Sequence, residues 1–328
     1  MINNKERMNE MKKALVLGAS GGMGYSIVKE LSNRGIAVKA FARNENKLKH
    51  LFQDDENVSI ITGDVFELNS LNSAAEDVDI IFQSTNIPYT EWEGKLLLMI
   101  NNILTAAKEN SSKIAIVDNI YAYGRAGTNV KETAVKNPCT KKGRIRLQAE
   151  NLIKQSDVPY IIAHFPDFYG PNANNTILHV TLEKIVQNKS SIFVGKQNIP
   201  REYIFTPDGA KALVNLAFEK QAYGENWNIP GAGVITGEEI VAILRKLVNY
   251  QKQVSTISKK MIQLLGVFNR DMREVGEMFY LNETPVVLNG EKYEERIGMI
   301  PRTSYQEGLQ QTMNYLRNIK TPFTQSNY

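Results

Sequence analysis

The sequence predicts an α/β protein, a doubly wound parallel sheet with a smaller, interleaved C-terminal substrate lobe. Three observations carry this. Short apolar runs alternate with stretches of helical spacing through the first half of the 328 residues, the pattern of a parallel sheet covered on both faces. The first apolar run, Ala14-Leu15-Val16-Leu17, enters the turn Gly18-Ala19-Ser20-Gly21-Gly22-Met23-Gly24 and leaves into a helically spaced stretch. After about Pro166 the regular alternation weakens. Strand, glycine turn and helix together are the opening of a Rossmann-type dinucleotide fold.

The elements follow in order. Strands are expected at Ala37–Ala42, Val58–Thr62, 79–84, 113–117 and 159–165. Between them, 44–52, 68–78, 91–109 and 141–155 have helical spacing. In the second half, helices are expected at 177–188, 208–219, 238–250 and 258–277, and strands at 191–195, 203–205 and 224–230. The reading divides the chain into a disordered tail over 1–10, a dinucleotide-binding core over 11–165 completed by about 200–235, and a substrate lobe from 166–199 and 236–320.

Composition narrows the function. A net charge of +4, spread along the chain, does not argue for nucleic acid. One cysteine, Cys139, allows no intramolecular disulfide and fits a reducing interior. His50, His164 and His179 are far apart and form no HxxH pair, so no metal site is expected. His164, inside an apolar run, reads as a core histidine. The polar N-terminus lacks the apolar segment of a signal peptide, and no stretch approaches a membrane span. A cytoplasmic monomer or homodimer acting on a small molecule is the expectation.

The glycine turn has a physical logic. Gly18 lets the chain turn off the strand, Gly21 lets backbone approach a pyrophosphate, and Gly24 lets the helix pack close to the strand. Gly18, Ser20, Gly21, Gly22, Met23 and Gly24 are the expected phosphate cradle. The second strand ends without an acid for a ribose 2′-OH; it ends in Arg43, with Lys47 one turn on. A guanidinium there suits a 2′-phosphate, which favours NADP, with NAD the alternative. A merely solvated Arg43 is the competing reading. Asp64 and Val65 after the third strand, Thr85 and Asn86 after the fourth, and Phe165 and Pro166 after the sixth complete the expected cofactor contacts.

Several segments together carry a family resemblance: Asp79-Ile80-Ile81-Phe82-Gln83, Asp118-Asn119-Ile120-Tyr121-Ala122-Tyr123-Gly124, Phe165-Pro166-Asp167-Phe168-Tyr169-Gly170-Pro171, Asn226-Trp227-Asn228-Ile229-Pro230 and Thr236-Gly237-Glu238-Glu239-Ile240. With the glycine turn, they resemble the extended short-chain dehydrogenases/reductases, the NAD-dependent epimerase/dehydratase family. The resemblance runs from Lys12 to about Arg317. It implies a catalytic tetrad, and there the chain departs from the pattern. Asn119 stands at the family's Ser/Thr position, Lys142 at its Tyr and Arg146 at its Lys, with Glu150 four residues further on.

Lys142 and Arg146 lie at i and i+4, on one helix face. Lys142 is the candidate proton donor, Asn119 a hydrogen-bond donor to the same oxygen, and Arg146 the ribose partner. Tyr121 and Tyr123 are alternative acids. The cations of Lys141-Lys142-Gly143-Arg144-Ile145-Arg146 oppose the dipole of the helix they begin, which calls for a compensating anion: cofactor, substrate carboxylate or phosphate, Asp118 or Asp167. A solvated Lys142 is the competing reading. Arg201 and Tyr203 are weighed as cleft residues against packing. Trp92 and Pro88-Tyr89 are weighed as a cover for the nicotinamide pocket against packing of their own loop. Met261, Leu264, Leu265 and Phe268 read as core or dimer contact. The expected function is an NAD(P)-dependent oxidoreductase or epimerase/dehydratase-like enzyme with an altered tetrad, acting on a small carbonyl or sugar-like, anionic substrate. The alternative is a non-catalytic NADP(H)-binding redox sensor or regulatory protein.

Overall fold

The computed structural model describes residues 11–318. The expected tail over 1–10 and the last two residues of the expected lobe lie outside them. Seven parallel strands form the main sheet: β1 (Lys13–Leu17), β2 (Ala37–Ala42), β3 (Val58–Thr62), β4 (Ile80–Gln83), β5 (Lys113–Asn119), β6 (Tyr160–Phe165) and, from far along the chain, β10 (Glu225–Asn228). Their order is β10-β6-β5-β4-β1-β2-β3. The strand order reverses between β1 and β4, where Leu17 pairs with Phe41 on one side and Gln83 on the other. Ligand crevices form at that switch point, outside the carboxyl ends of the strands.

The central strands β1, β4 and β6 are buried on both faces, so their apolar runs are nearly continuous, whereas the edge strand β3 is only half-buried. Within β1, Ala14 and Val16 join one core and Leu15 and Leu17 the other. The first core is covered by α1 (Gly22–Asn33), α2 (Glu45–Phe52) and α7 (Thr206–Phe218). The second is covered by α3 (Leu68–Ala75), α4 (Trp92–Glu109) and α5 (Lys141–Lys154).

The second half adds two small sheets. One is β7 (Asp167–Tyr169), β9 (Arg201–Phe205) and β11 (Val234–Ile235); the other pairs β8 (Ser191–Val194) with β12 (Val254–Ile257). A separate apolar cluster forms here, with Leu182 from α6 (His179–Val186), Leu244 from α8 (Gly237–Val248) and Met313 from α12 (Tyr305–Asn318). Thr236 and Glu239 close a capping box at the start of α8. The expected single helix over 258–277 is two, α9 (Lys259–Phe268) and α10 (Arg270–Glu277). Asn269 breaks it: its backbone is extended, and its side chain accepts from Met272 N at 3.1 Å to cap the second helix. A short helix, α11 (Glu291–Arg296), follows. No helix of the described residues is long and apolar enough to cross a membrane.

Glu202 in β9 ties two loops to this half. Its buried carboxylate accepts from Gly231 N at 3.2 Å and Leu288 N at 3.1 Å. Burial raises its pKa to about 7. The folded chain therefore holds a proton there that the unfolded chain loses near pH 4.5, and stability falls as pH rises from that value to about 7. The loss across that window is roughly 3 kcal/mol. Glu202→Gln should flatten it, measured as urea midpoints at pH 5 and pH 8. An unchanged pH dependence would mean that Glu202 is ionised at little cost.

Candidate active site

Two parts of the site meet the carboxyl edge of the main sheet. The first is the glycine loop. Gly18 has φ +78°, and a Cβ there would meet Thr85 N at 2.7 Å. A Cβ on Gly24 would lie 2.2 Å from Gly18 O, and one on Gly22 would lie 2.7 Å from Ala173 Cα. Gly21 differs: it is exposed, and its Cβ would meet only Gly18 O, at 3.4 Å. Its outer face is open to a ligand. Helix α1 has no side-chain cap and no acid in its first turn, so its N–H groups and positive dipole end are uncompensated.

The other expected cofactor residues divide. Arg43 is exposed just past β2, and no ion pair holds it among the described residues. Asp64 is half-buried and accepts from Phe66 N at 3.0 Å. Asn86 is exposed beside Thr85. Thr85 Oγ1 is buried without a partner at the end of β4. Ser20 is half-buried, and its carbonyl accepts from Asn172 Nδ2 at 3.1 Å. Met23 and Phe165 are buried in the first core, under the loop, and Val65 lies in the second. Pro166 is buried beside Phe165. An open glycine cradle, a bare helix N-terminus and an orphaned hydroxyl fit a dinucleotide.

The second part is built on the end of β5 and the start of α5. Asn119 caps a short 3-10 turn, Ile120–Tyr123, accepting from Tyr121 N at 3.0 Å. Tyr121 Oη is 2.6 Å from Tyr89 Oη, and Trp92 packs against both rings. Arg146 lies on Trp92, its Cζ 4.4 Å from the ring centroid, with Nη1 3.4 Å from Asp118 Oδ1. Its Nε is buried without a partner. Lys142 Nζ lies 5.2 Å from the Tyr89 ring. Tyr121, Lys142 and Arg146 therefore gather around one aromatic wall of Tyr89 and Trp92, and Asn119 joins them through its bond to Tyr121 N. Burial raises the pKa of Tyr89 to about 12 and lifts Tyr121 well above its ordinary value. Both hydroxyls stay protonated at neutral pH.

Lys142 is not solvated: its side chain is 1% exposed. Its ammonium pairs with Glu277 Oε2 at 2.6 Å and with Glu274, both from α10. The sequence offered no sign of these partners, since acids three apart on a helix are common. The anions weighed at sequence level are divided differently. Asp118 takes Arg146, and Asp167 takes Arg201. Buried Arg201 also bonds Asn282, and its Cζ lies 5.2 Å from the Tyr203 ring.

Tyr123 is not with the others. Its hydroxyl is buried, 3.0 Å from Asn228 Oδ1 and 3.3 Å from His164 Nδ1. Glu150 completes that cluster, accepting from Asn226 Nδ2 at 2.7 Å and pairing with Lys136. Against burial, His164 and then Lys136 hold its carboxyl far below the usual range. One ligand atom each of Asp118, Glu150 and His164 lie within 4.8 Å of one another. The Lys136 ammonium, 3.1 Å from His164 Nε2, supplies the positive charge there. Of the residues expected as core or dimer contact on α9, Leu264 is 67% and Phe268 90% exposed, so they are not core.

Residues 18–193 match the NAD(P)H-binding family model. The chain belongs to that family. It is 30% identical over 166 residues to an uncharacterised chloroplast protein of Arabidopsis thaliana, a match that covers 48% of this chain and 59% of that one. It is 21% identical to the photosystem II assembly factor Ycf39 of Synechocystis, over 79% of this chain and 74% of that one. Among solved structures, UDP-glucuronic acid 4-epimerase of Bacillus cereus in complex with NAD superposes with a TM-score of 0.75. It covers 94% of this chain and 100% of its own at 17% identity. The fold is that of the NAD-dependent epimerase/dehydratases.

Gly21 and Gly24 make opposite predictions. Gly21→Val has room to fold but fills the open face, so circular dichroism should be unchanged while NADPH binding is lost. Gly24→Ala puts a methyl group into Gly18 O, an overpacking that costs about 1–3 kcal/mol, read as a lower urea midpoint. NADPH binding at wild-type affinity by Gly21→Val would move the cofactor elsewhere.

Proposed function

We propose that this chain is an NADP(H)-dependent oxidoreductase or epimerase acting on a small, sugar-like substrate with an anionic group. The observation that supports it most is the gathering of Asn119, Tyr121, Lys142 and Arg146 at the same sheet edge as the glycine loop. The dinucleotide would lie with its pyrophosphate on Gly21 and Gly22, its 2′-phosphate on Arg43 and a polar contact to Thr85 Oγ1. Asp64 and Asn86 would flank it. When bound, its nicotinamide accepts or supplies the hydride.

The chain's own residues handle the proton. Lys142 donates to, or takes from, the reacting oxygen, and its charge stabilises a developing alkoxide. Asn119 and the Tyr121 hydroxyl orient that oxygen. Arg146 holds the ribose through its unused Nε. Segments 166–199 and 236–320 would form the substrate lobe, and a neighbour that is a UDP-glucuronic acid 4-epimerase suits a sugar-like substrate.

A second reading has one observation in its favour. Two carboxylates close off Lys142, and no tyrosine stands at its position, as would suit a regulatory NADP(H)-binding protein. The named role of Ycf39, an assembly factor, is compatible with that reading.

Calorimetry with NADP and NAD tests the cofactor. Arg43→Ala should weaken NADP by about tenfold to a hundredfold, the worth of a charged hydrogen bond, and leave NAD nearly unchanged. Equal losses would remove Arg43 from the 2′-phosphate site. Lys142→Met should lower the hydride-transfer rate by roughly 10²–10⁴ with cofactor affinity preserved, whereas Arg146→Met should weaken cofactor binding as well. Wild-type turnover by Lys142→Met would end its catalytic role. NADPH binding without consumption of any hydroxy or keto substrate would favour the regulatory reading.

A further inference from the structure

Helix α10 is joined to the dinucleotide-binding half mainly by charge. None of its residues is buried, and α9 before it buries only Ile262 and Gly266. Glu277 Oε1 accepts from the backbone N–H groups of Lys141 and Lys142, the latter at 3.3 Å. Glu277 Oε2 takes the Lys142 ammonium at 2.6 Å, and Glu274 takes it too. Arg270 adds a bond to Thr90 O at 3.2 Å.

A carboxylate resting on two N–H groups at a helix N-terminus and on an ammonium is a bound anion. Here the anion is internal. The cation is the fixed partner: Lys142 is 1% exposed, while the Glu274 and Glu277 side chains are 23% and 26% exposed. The carboxylates reach in from the solvent side. Arg146, one turn along α5, is buried with Nε unpartnered. It lies against the same wall, since the Tyr89 and Trp92 centroids are 5.1 Å apart. Lifting α10 would take both carboxylates from Lys142 and from the first N–H groups of α5. An anion from solvent can then make the same contacts.

We propose that Lys142 and the first N–H groups of α5 form the substrate's carboxylate site, which Glu274 and Glu277 occupy as internal stand-ins until a hydroxy or keto acid displaces them and lifts the α9–α10 hairpin. This rests on the oxidoreductase reading. A carboxylate suits the site because carboxylates already fill it. The ammonium has three donors, so two hold the carboxylate and the third faces the oxygen on the adjoining carbon, where the hydride is exchanged.

The test uses the full-length protein, malonate as the probe, and hydrogen–deuterium exchange with calorimetry. Malonate should speed amide exchange across 259–277 in the wild-type chain. The double variant Glu274→Gln/Glu277→Gln should exchange rapidly there without malonate. It should bind malonate about tenfold tighter or more, because the internal competitor is gone. Adding Lys142→Met to that variant should remove the binding. Equal malonate affinity in wild type and double variant, or a hairpin whose exchange ignores malonate, overturns the proposal, and the wild-type arm needs no variant to fold. Inorganic phosphate binding tighter than malonate overturns the carboxylate assignment. NADPH affinity in the same samples separates the two readings. Unchanged NADPH binding with a malonate-insensitive hairpin sinks the latch alone. A malonate response without any NADPH binding keeps the carboxylate site and sinks the oxidoreductase reading.

Discussion

Everything at the carboxyl edge depends on how closely backbone approaches backbone around the glycine loop. Gly24 brings α1 to within a Cβ radius of Gly18 O, Gly18 brings the end of β1 onto Thr85, and Gly22 brings the loop onto Ala173. Three segments from distant parts of the chain thereby meet at one point: the first strand–helix turn, the end of β4 and the loop after β7. Any Cβ at these positions would push one of them away. The one glycine in the loop left with room is Gly21, and that room faces outward. Tight packing on three sides and an opening on the fourth give the loop its shape.

The second constraint is electrostatic. Helix α5 begins with cations where its dipole favours anions. The chain resolves this by bringing carboxylates to them, Asp118 to Arg146 and the α10 pair to Lys142. Buried pairs of this kind contribute little net stability, but breaking one from a single side is costly. Lys142 and Arg146 are therefore held in a defined arrangement, which for Lys142 depends on a hairpin with little buried apolar surface. The aromatic wall of Tyr89, Trp92 and Tyr121 supplies the rigid backing.

The sequence carried the sheet well because its signals are local. In β1, four apolar residues feed two cores at once, which leaves a continuous run, and Gly18 marks its end. Asn269 misled the reading of 258–277 because apolar spacing continues across it; only its extended backbone and its bond to Met272 N reveal a cap. Lys142 was legible as a position but not as an environment. Its partners lie more than 130 residues away on a polar helix, and no local pattern ties Glu274 or Glu277 to it. Lys136 is a nearer case: its ammonium reaches Glu150 on α5 and His164 on β6, and no local pattern ties it to either. Tyr123 sat in the right motif, but the 3-10 turn sends its hydroxyl to His164 and Asn228 while that of Tyr121 meets Tyr89.

The most direct measurement is a crystal structure of the full-length chain grown with NADPH. The pyrophosphate should rest on Gly21 and Gly22 at the N-terminus of α1. The 2′-phosphate should contact Arg43, and the nicotinamide should lie within reach of Asn119 and Lys142. Density for the dinucleotide at any other place, or an empty glycine loop at saturating NADPH, would contradict the reading of this edge as a cofactor site.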